Sequence, residues 1–148
     1  MALNPGFVGR SYPASAPYVV GREKVREFAR ALGETDPVHF DPDAARGRGF
    51  ADVVAPPTYA IRLSMAAAAN VVTDAELGLD YSRVVHGDQR FEYSRPIVAG
   101  DELVTTVTIE SIRSAAGNDI ITTRADIATV DGELVVRSYS TLVSRGVE

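Results

Sequence analysis

Apolar residues recur along this chain in two rhythms, and the change of rhythm divides it. From Arg22 the apolar positions Val25, Phe28, Ala29 and Leu32 fall at helical spacing, with arginine and glutamate between them. Gly33 follows the last of them as a helix C-cap does, so a helix is predicted over about residues 22–32. Residues 41–46 read as a short capped helical turn ended by Gly47 and Gly49. Pro56-Pro57 then opens a second helix over residues 57–72, because proline suits a first helical turn. Its sequence is Tyr59, Ala60, Ile61, Leu63, Met65 and four alanines, with Arg62 the only charge. A helix apolar nearly all round is expected to be buried.

After Thr73 the rhythm becomes two. Strands are predicted over residues 84–93, 103–109, 120–130 and 134–143. Arg95-Pro96 breaks the first, Ala99-Gly100-Asp101 turns the chain, and a loop containing Gly117 follows the second. Asp131-Gly132 between two apolar runs is a hairpin signal. A short strand is expected at Tyr18-Val19-Val20, behind an irregular lead-in over residues 1–17. A buried helix followed by a long antiparallel meander gives one α+β domain over residues 1–148, the sheet wrapping around the helix. Strands of that length need edge protection, which pairing with a second copy supplies.

Composition narrows the function classes. The chain has 148 residues, of which 45% are hydrophobic and 24% charged, enough for a core and too apolar for disorder. It has no cysteine, which excludes disulfides, thiolate catalysis and cysteine metal sites, and fits a cytoplasmic protein. No uncharged apolar run of membrane-spanning length occurs, and no signal peptide is expected at the N-terminus. The net charge of −5 argues against nucleic-acid binding. The two histidines, His39 and His86, do not make a metal site, and no cofactor is implied.

The candidate chemistry lies in residues 33–41, Gly-Glu-Thr-Asp-Pro-Val-His-Phe-Asp. Pro37 disfavours helix at Asp36 and stiffens the loop. Glu34 and His39 are spaced to converge on one water for general acid–base work. Asp36-Pro37 is equally ordinary turn chemistry, and Asp41-Pro42-Asp43 a helix start. His86, on a strand, reads better as a hydrogen-bonded strand histidine than as a pocket residue. Arg95 reads as a group orienting the loop before Pro96. Arg22, Lys24, Arg26, Arg30, Arg46 and Arg48 form either a solvated face or a docking surface for a phosphopantetheine carrier or coenzyme A phosphates.

Three stretches together resemble a known family: residues 33–41, Gly49-Phe50 through Ala55-Pro56-Pro57-Thr58, and Phe91 through Arg95-Pro96-Ile97-Val98-Ala99-Gly100-Asp101. The chain resembles the MaoC-like, hot-dog-fold (R)-specific enoyl hydratases and (3R)-hydroxyacyl-thioester dehydratases over nearly its whole length. It is closest to the actinobacterial MaoC-like dehydratase N-terminal-domain branch. The resemblance implies a dimer and reversible addition of water to a trans-2-enoyl thioester. The family motif Gly-Asp-x-Asn-Pro-x-His places its catalytic Asp on Glu34, its Asn on Asp36 and its His on His39. Glu34 is one methylene longer than the family residue. Asp36 brings a second negative charge, expected to raise carboxylate pKa values and favour a protonated His39. The family's oxyanion glycine falls on Pro57, which has no N–H, and the preceding histidine on Pro56. The backbone N–H of Thr58 or Tyr59 is the expected replacement.

These readings give two functions. In one, the chain is a dehydratase or hydratase acting on acyl-CoA or acyl-carrier-protein thioesters in fatty-acid metabolism, with Glu34 and His39 catalytic and Asp36, Pro57, Thr58 and Tyr59 at the substrate. In the other, it is a non-catalytic acyl-chain-binding subunit of a heterodimer whose partner, a related hot-dog chain, carries the intact Asp/His motif. A thioester hydrolase on the same fold is a third, resting on architecture alone.

Overall fold

A computed structural model describes residues 3–146. Its order is β1 (Tyr18–Val19), α1 (Arg22–Ala31), α2 (Pro42–Gly47), α3 (Ile61–Val72), β2 (Val84–Tyr93), β3 (Glu102–Ala115), β4 (Asn118–Thr129) and β5 (Leu134–Ser144), with 3₁₀ turns at Pro5–Phe7, Pro37–His39, Pro57–Ala60 and Tyr81–Arg83. The strands form one antiparallel sheet in the order β1-β3-β4-β5-β2. β3, β4 and β5 are the expected meander, and β2 returns to pair with β5. Register shifts at Ile109/Ser111, His86/Asp88 and Ile127/Ala128 curl the sheet, as bulges do, so that it wraps one side of α3 in the hot-dog manner.

Two turns set the meander. Ala116 (φ 50°) and Gly117 (φ 76°) both lie in the left-handed region and join β3 to β4, as a two-residue hairpin turn demands. Gly132 (φ 97°) donates from its N–H to Thr129 O at 2.9 Å and closes the β4–β5 hairpin. Inside the curl, Ile97, Leu103, Ile109, Ile121 and Ile127 are at most 1% exposed.

The predicted helix over residues 57–72 is in fact two elements. After Pro56-Pro57 the chain makes a 3₁₀ turn, in which Tyr59 N–H donates to Pro56 O at 2.9 Å, and α-helical geometry begins at Ile61. Nor is α3 buried all round. Leu63, Ser64, Ala67 and Val71 face the sheet, whereas Met65 is 60% exposed and Ala66, Ala69 and Asn70 are open. A single curled sheet covers only one side of a helix.

Candidate active site

The loop carrying Glu34 and His39 is shaped at both ends by capping. α1 ends in a Schellman arrangement: Gly33, at φ 74°, donates to Arg30 O, and Glu34 N–H reaches back to Ala29 O. That fixes Glu34 immediately beyond the helix. Asp36 then caps the turn Pro37–His39, its Oδ1 accepting from Val38 N–H at 3.0 Å. Arg26, on α1, donates to Phe40 O at 2.9 Å and ties the far side of the loop to the helix.

His39 is 8% exposed, and its Nδ1 lies 2.6 Å from Val54 O. A carbonyl oxygen only accepts, so Nδ1 carries a proton and Nε2 is the ring nitrogen left with a free lone pair. Val54 is itself held, by its N–H to Val38 O and by a bridge to Val98. The imidazole is thus aimed by backbone. Its Nε2 lies 3.9 Å from Glu34 Oε2, and the Glu34 side chain is 40% exposed. That is too long for a direct hydrogen bond, but one water at ordinary distance from both atoms spans it.

A cleft of about 490 Å³ opens beside the ring, lined by Asp36, His39, Arg48, Phe50, Val54, Pro57, Tyr93 and Arg95 among others. Glu34 stands at its margin rather than in its wall. Asp36 pairs with Arg48, Nη1 lying 2.9 Å from both carboxylate oxygens. The Val38 N–H first, and Arg48 with it, hold Asp36 below the usual carboxylate range. The expectation that carboxylate pKa values in this loop would rise is therefore corrected for Asp36, whose own carboxyl is held down.

The donors expected near the thioester oxygen divide. Pro57 lines the cleft. Tyr59 does not serve: its N–H is taken by Pro56 O, its ring is fully buried, and its hydroxyl meets Tyr18 Oη at 2.8 Å. Thr58 is exposed, and its N–H has no acceptor among the described residues. Tyr93 donates its hydroxyl to Pro57 O, and burial pushes its pKa up to about 12, so it stays a donor at neutral pH.

A family profile described as FAS1-like, dehydratase domain region matches residues 6–138. The chain belongs to this family. As a MaoC-like hot-dog dehydratase domain, it is 56% identical over 148 residues to the UPF0336 protein of Streptomyces avermitilis, covering 100% of this chain and 99% of that one. It is similar to the HadBC (3R-hydroxyacyl-ACP dehydratase) complex from Mycobacterium tuberculosis, with a TM-score of 0.83 and 35% identity over 93% of this chain and 96% of that one. It is also similar to a MaoC-like dehydratase, with a TM-score of 0.87 and 39% identity over 95% of this chain and 42% of that one.

Other sequence candidates fall outside the His39 cleft or serve its frame. His86 sits exposed on β2, its Nε2 3.2 Å from Ser140 Oγ. Arg95 grips both oxygens of Asp101 at 2.9 and 3.0 Å and Glu133 at 2.7 Å, which braces the loop before Pro96. The basic stretch is not a free cationic face. Arg22 pairs with Asp52, Lys24 with Glu27, Arg26 with Glu23, Arg46 with Asp43 and Arg48 with Asp36, leaving Arg30 of the six. Sequence reasoning missed Val54 and Tyr93. Val54 acts through its carbonyl, which leaves no signature in residue type. Tyr93 shows only as one aromatic at a strand end. Among the described residues, no three His, Cys, Asp or Glu side chains cluster as a metal would need. No helix among them is long and apolar enough to cross a membrane.

Proposed function

We propose that this chain is a (3R)-hydroxyacyl-thioester dehydratase, running in reverse as a trans-2-enoyl-thioester hydratase on acyl-CoA or acyl-carrier-protein substrates of fatty-acid metabolism. The observation that carries the reading is His39 Nε2, its tautomer set by Val54 O, 3.9 Å from Glu34 Oε2 beside the cleft. In hydration, Glu34 and His39 hold one water and take a proton from it as its oxygen bonds to C3. A proton is returned to C2. Charge develops on the thioester oxygen, and the free N–H of Thr58, next in the chain to the cleft-lining Pro57 though not itself in the lining, is the donor this reading assigns to it. No metal or cofactor takes part in this scheme. The absence of cysteine suits a reducing cytoplasm.

The reading includes a dimer, homomeric or with a related hot-dog chain. β2 ends the sheet with an edge unpaired among the described residues, and Met65 lines a small hollow together with Gln89 of β2. Gln89 Oε1 is buried there without a hydrogen-bond partner among the described residues. The HadBC structure, itself a complex of chains, supports this arrangement.

Pro57 and the inward Tyr59 favour a second reading, a non-catalytic acyl-binding subunit beside a partner with the intact Asp/His motif. The test is hydration of crotonyl-CoA and a longer enoyl thioester by the pure protein. Turnover to the (3R) product that falls about 10²-fold or more in His39→Ala and Glu34→Ala supports the enzyme. An inert protein that restores activity to a second hot-dog chain, with His39→Ala doing so equally well, selects the subunit.

A further inference from the structure

Fourteen arginines punctuate this chain, and ten of them meet a carboxylate within 4 Å. Of the other four, Arg30, Arg113 and Arg145 are exposed and solvated. Arg62 is different. It is half-buried on α3 and has no carboxylate partner among the described residues. Its acceptors are two phenol oxygens, Tyr18 Oη at 3.0 Å and Tyr59 Oη at 3.4 Å, themselves 2.8 Å apart. Burial raises the Tyr59 pKa, so that phenol is neutral at physiological pH; the guanidinium stands 5.6 Å from the centre of its ring, with no carboxylate among the described residues to balance its charge. Both oxygens are taken by one nitrogen, Nη1. Nε and Nη2, the edge that grips a carboxylate with two parallel hydrogen bonds, have no acceptor among the described residues.

Beside Arg62 lies a second cleft of about 430 Å³, between α3 and the segment Ser15 to Tyr18. It shares no lining residue with the His39 cleft. Pro17, Leu63, Ala66 and Ala67 make its wall apolar, and Asn70 adds an amide at the rim. A cation short of a counter-charge next to an apolar hollow suits an amphiphilic anion.

We propose that the Arg62 cleft is a second ligand site, which binds a small organic carboxylate with a short apolar tail. The carboxylate takes Nε and Nη2 of Arg62, and the tail lies along Leu63, Ala66 and Ala67. The probe is hexanoate, with hexanol and acetate as the tail-only and charge-only controls, and inorganic phosphate as a second anion. Calorimetry of the intact chain should show hexanoate binding at one site per chain, weakened about tenfold or more by Arg62→Gln. His39→Asn should leave that affinity unchanged. Hexanol, acetate and phosphate should each bind at least tenfold more weakly. The side-chain Nε resonance of Arg62 in the unmutated chain, followed by NMR, should move on titration, which covers the case of an unstable variant. No binding at millimolar hexanoate, equal binding by Arg62→Gln, or a still Nε resonance overturns the site. Hexanol binding as tightly as hexanoate overturns the role given to the charge.

Discussion

Replacing His39 separates what the imidazole does for the fold from what it does for chemistry. In His39→Ala the buried Val54 carbonyl loses its 2.6 Å donor. A buried acceptor left unpaired costs about 1–3 kcal/mol. The lost packing of a ring only 8% exposed adds roughly 1 kcal/mol. The variant should therefore unfold about 2–4 kcal/mol more easily. His39→Asn places an amide nitrogen where Nδ1 was and keeps the bond to Val54 O, but it has no counterpart of Nε2. It should recover at least 1 kcal/mol of that loss. If Nε2 carries the proton, both variants should be equally poor hydratases, down about 10²-fold or more. Urea unfolding followed by far-UV circular dichroism gives the first quantity, and disappearance of enoyl-thioester absorbance the second. Equal destabilisation by Ala and Asn would refute the role of the Val54 bond. An active His39→Asn would refute proton transfer through Nε2.

Three further outcomes follow from the same geometry. Asp36 is held below the ordinary carboxylate range, so its stabilising contribution is complete above the unfolded value of about 3.9 and is lost as pH falls through the lower folded value. The stability gap between the natural chain and Asp36→Asn should be open at neutral pH and close in strong acid; a gap independent of pH contradicts the Arg48 pairing. Ala116 sits at φ 50°, where asparagine is at ease, so Ala116→Asn should raise stability by about 0.5–1 kcal/mol in thermal unfolding. Light scattering at micromolar concentration should show a dimer, alone or with a related hot-dog chain, and a uniform monomer in every mixture would remove the β2-edge assembly.

Much of the fold was legible because its signals are local. Gly33 past the last apolar position of α1, Asp41 before Pro42, and Asp131-Gly132 between two strands each act within a few residues. The alternation of Leu103, Thr105, Val107 and Ile109 survives as the buried face of β3. What the sequence misstated was the environment of α3. Its apolar composition implied burial on all sides, but composition cannot distinguish a face covered by the chain's own sheet from one left for something else. Met65 and Ala69 lie on the uncovered side. The start of the helix was also misplaced, because Pro57 fits a 3₁₀ turn as well as an α-helical one.

The site was legible where side chains carry it and illegible where backbone does. Spacing alone paired Glu34 with His39, but the group that orients the imidazole is the carbonyl of Val54, fifteen residues on. The same distinction bears on the proline pair. In a 3₁₀ turn the N–H groups ahead of the first i→i+3 bond are the free donors. Tyr59 N–H already closes that bond to Pro56, and Pro57 has no N–H, so Thr58 is the donor this turn leaves. In the proposed hydratase reading, the oxyanion amide that the resemblance aligns with Pro57 is moved by one residue to Thr58 or given up. Losing such a donor costs about 10²–10³ in rate. On the proposed reading, a chain that keeps His39 on a backbone-fixed axis yet lacks an amide at Pro57 is equipped for proton transfer more firmly than for oxyanion stabilisation. Under that reading, unaided catalysis would rest on Thr58 N–H.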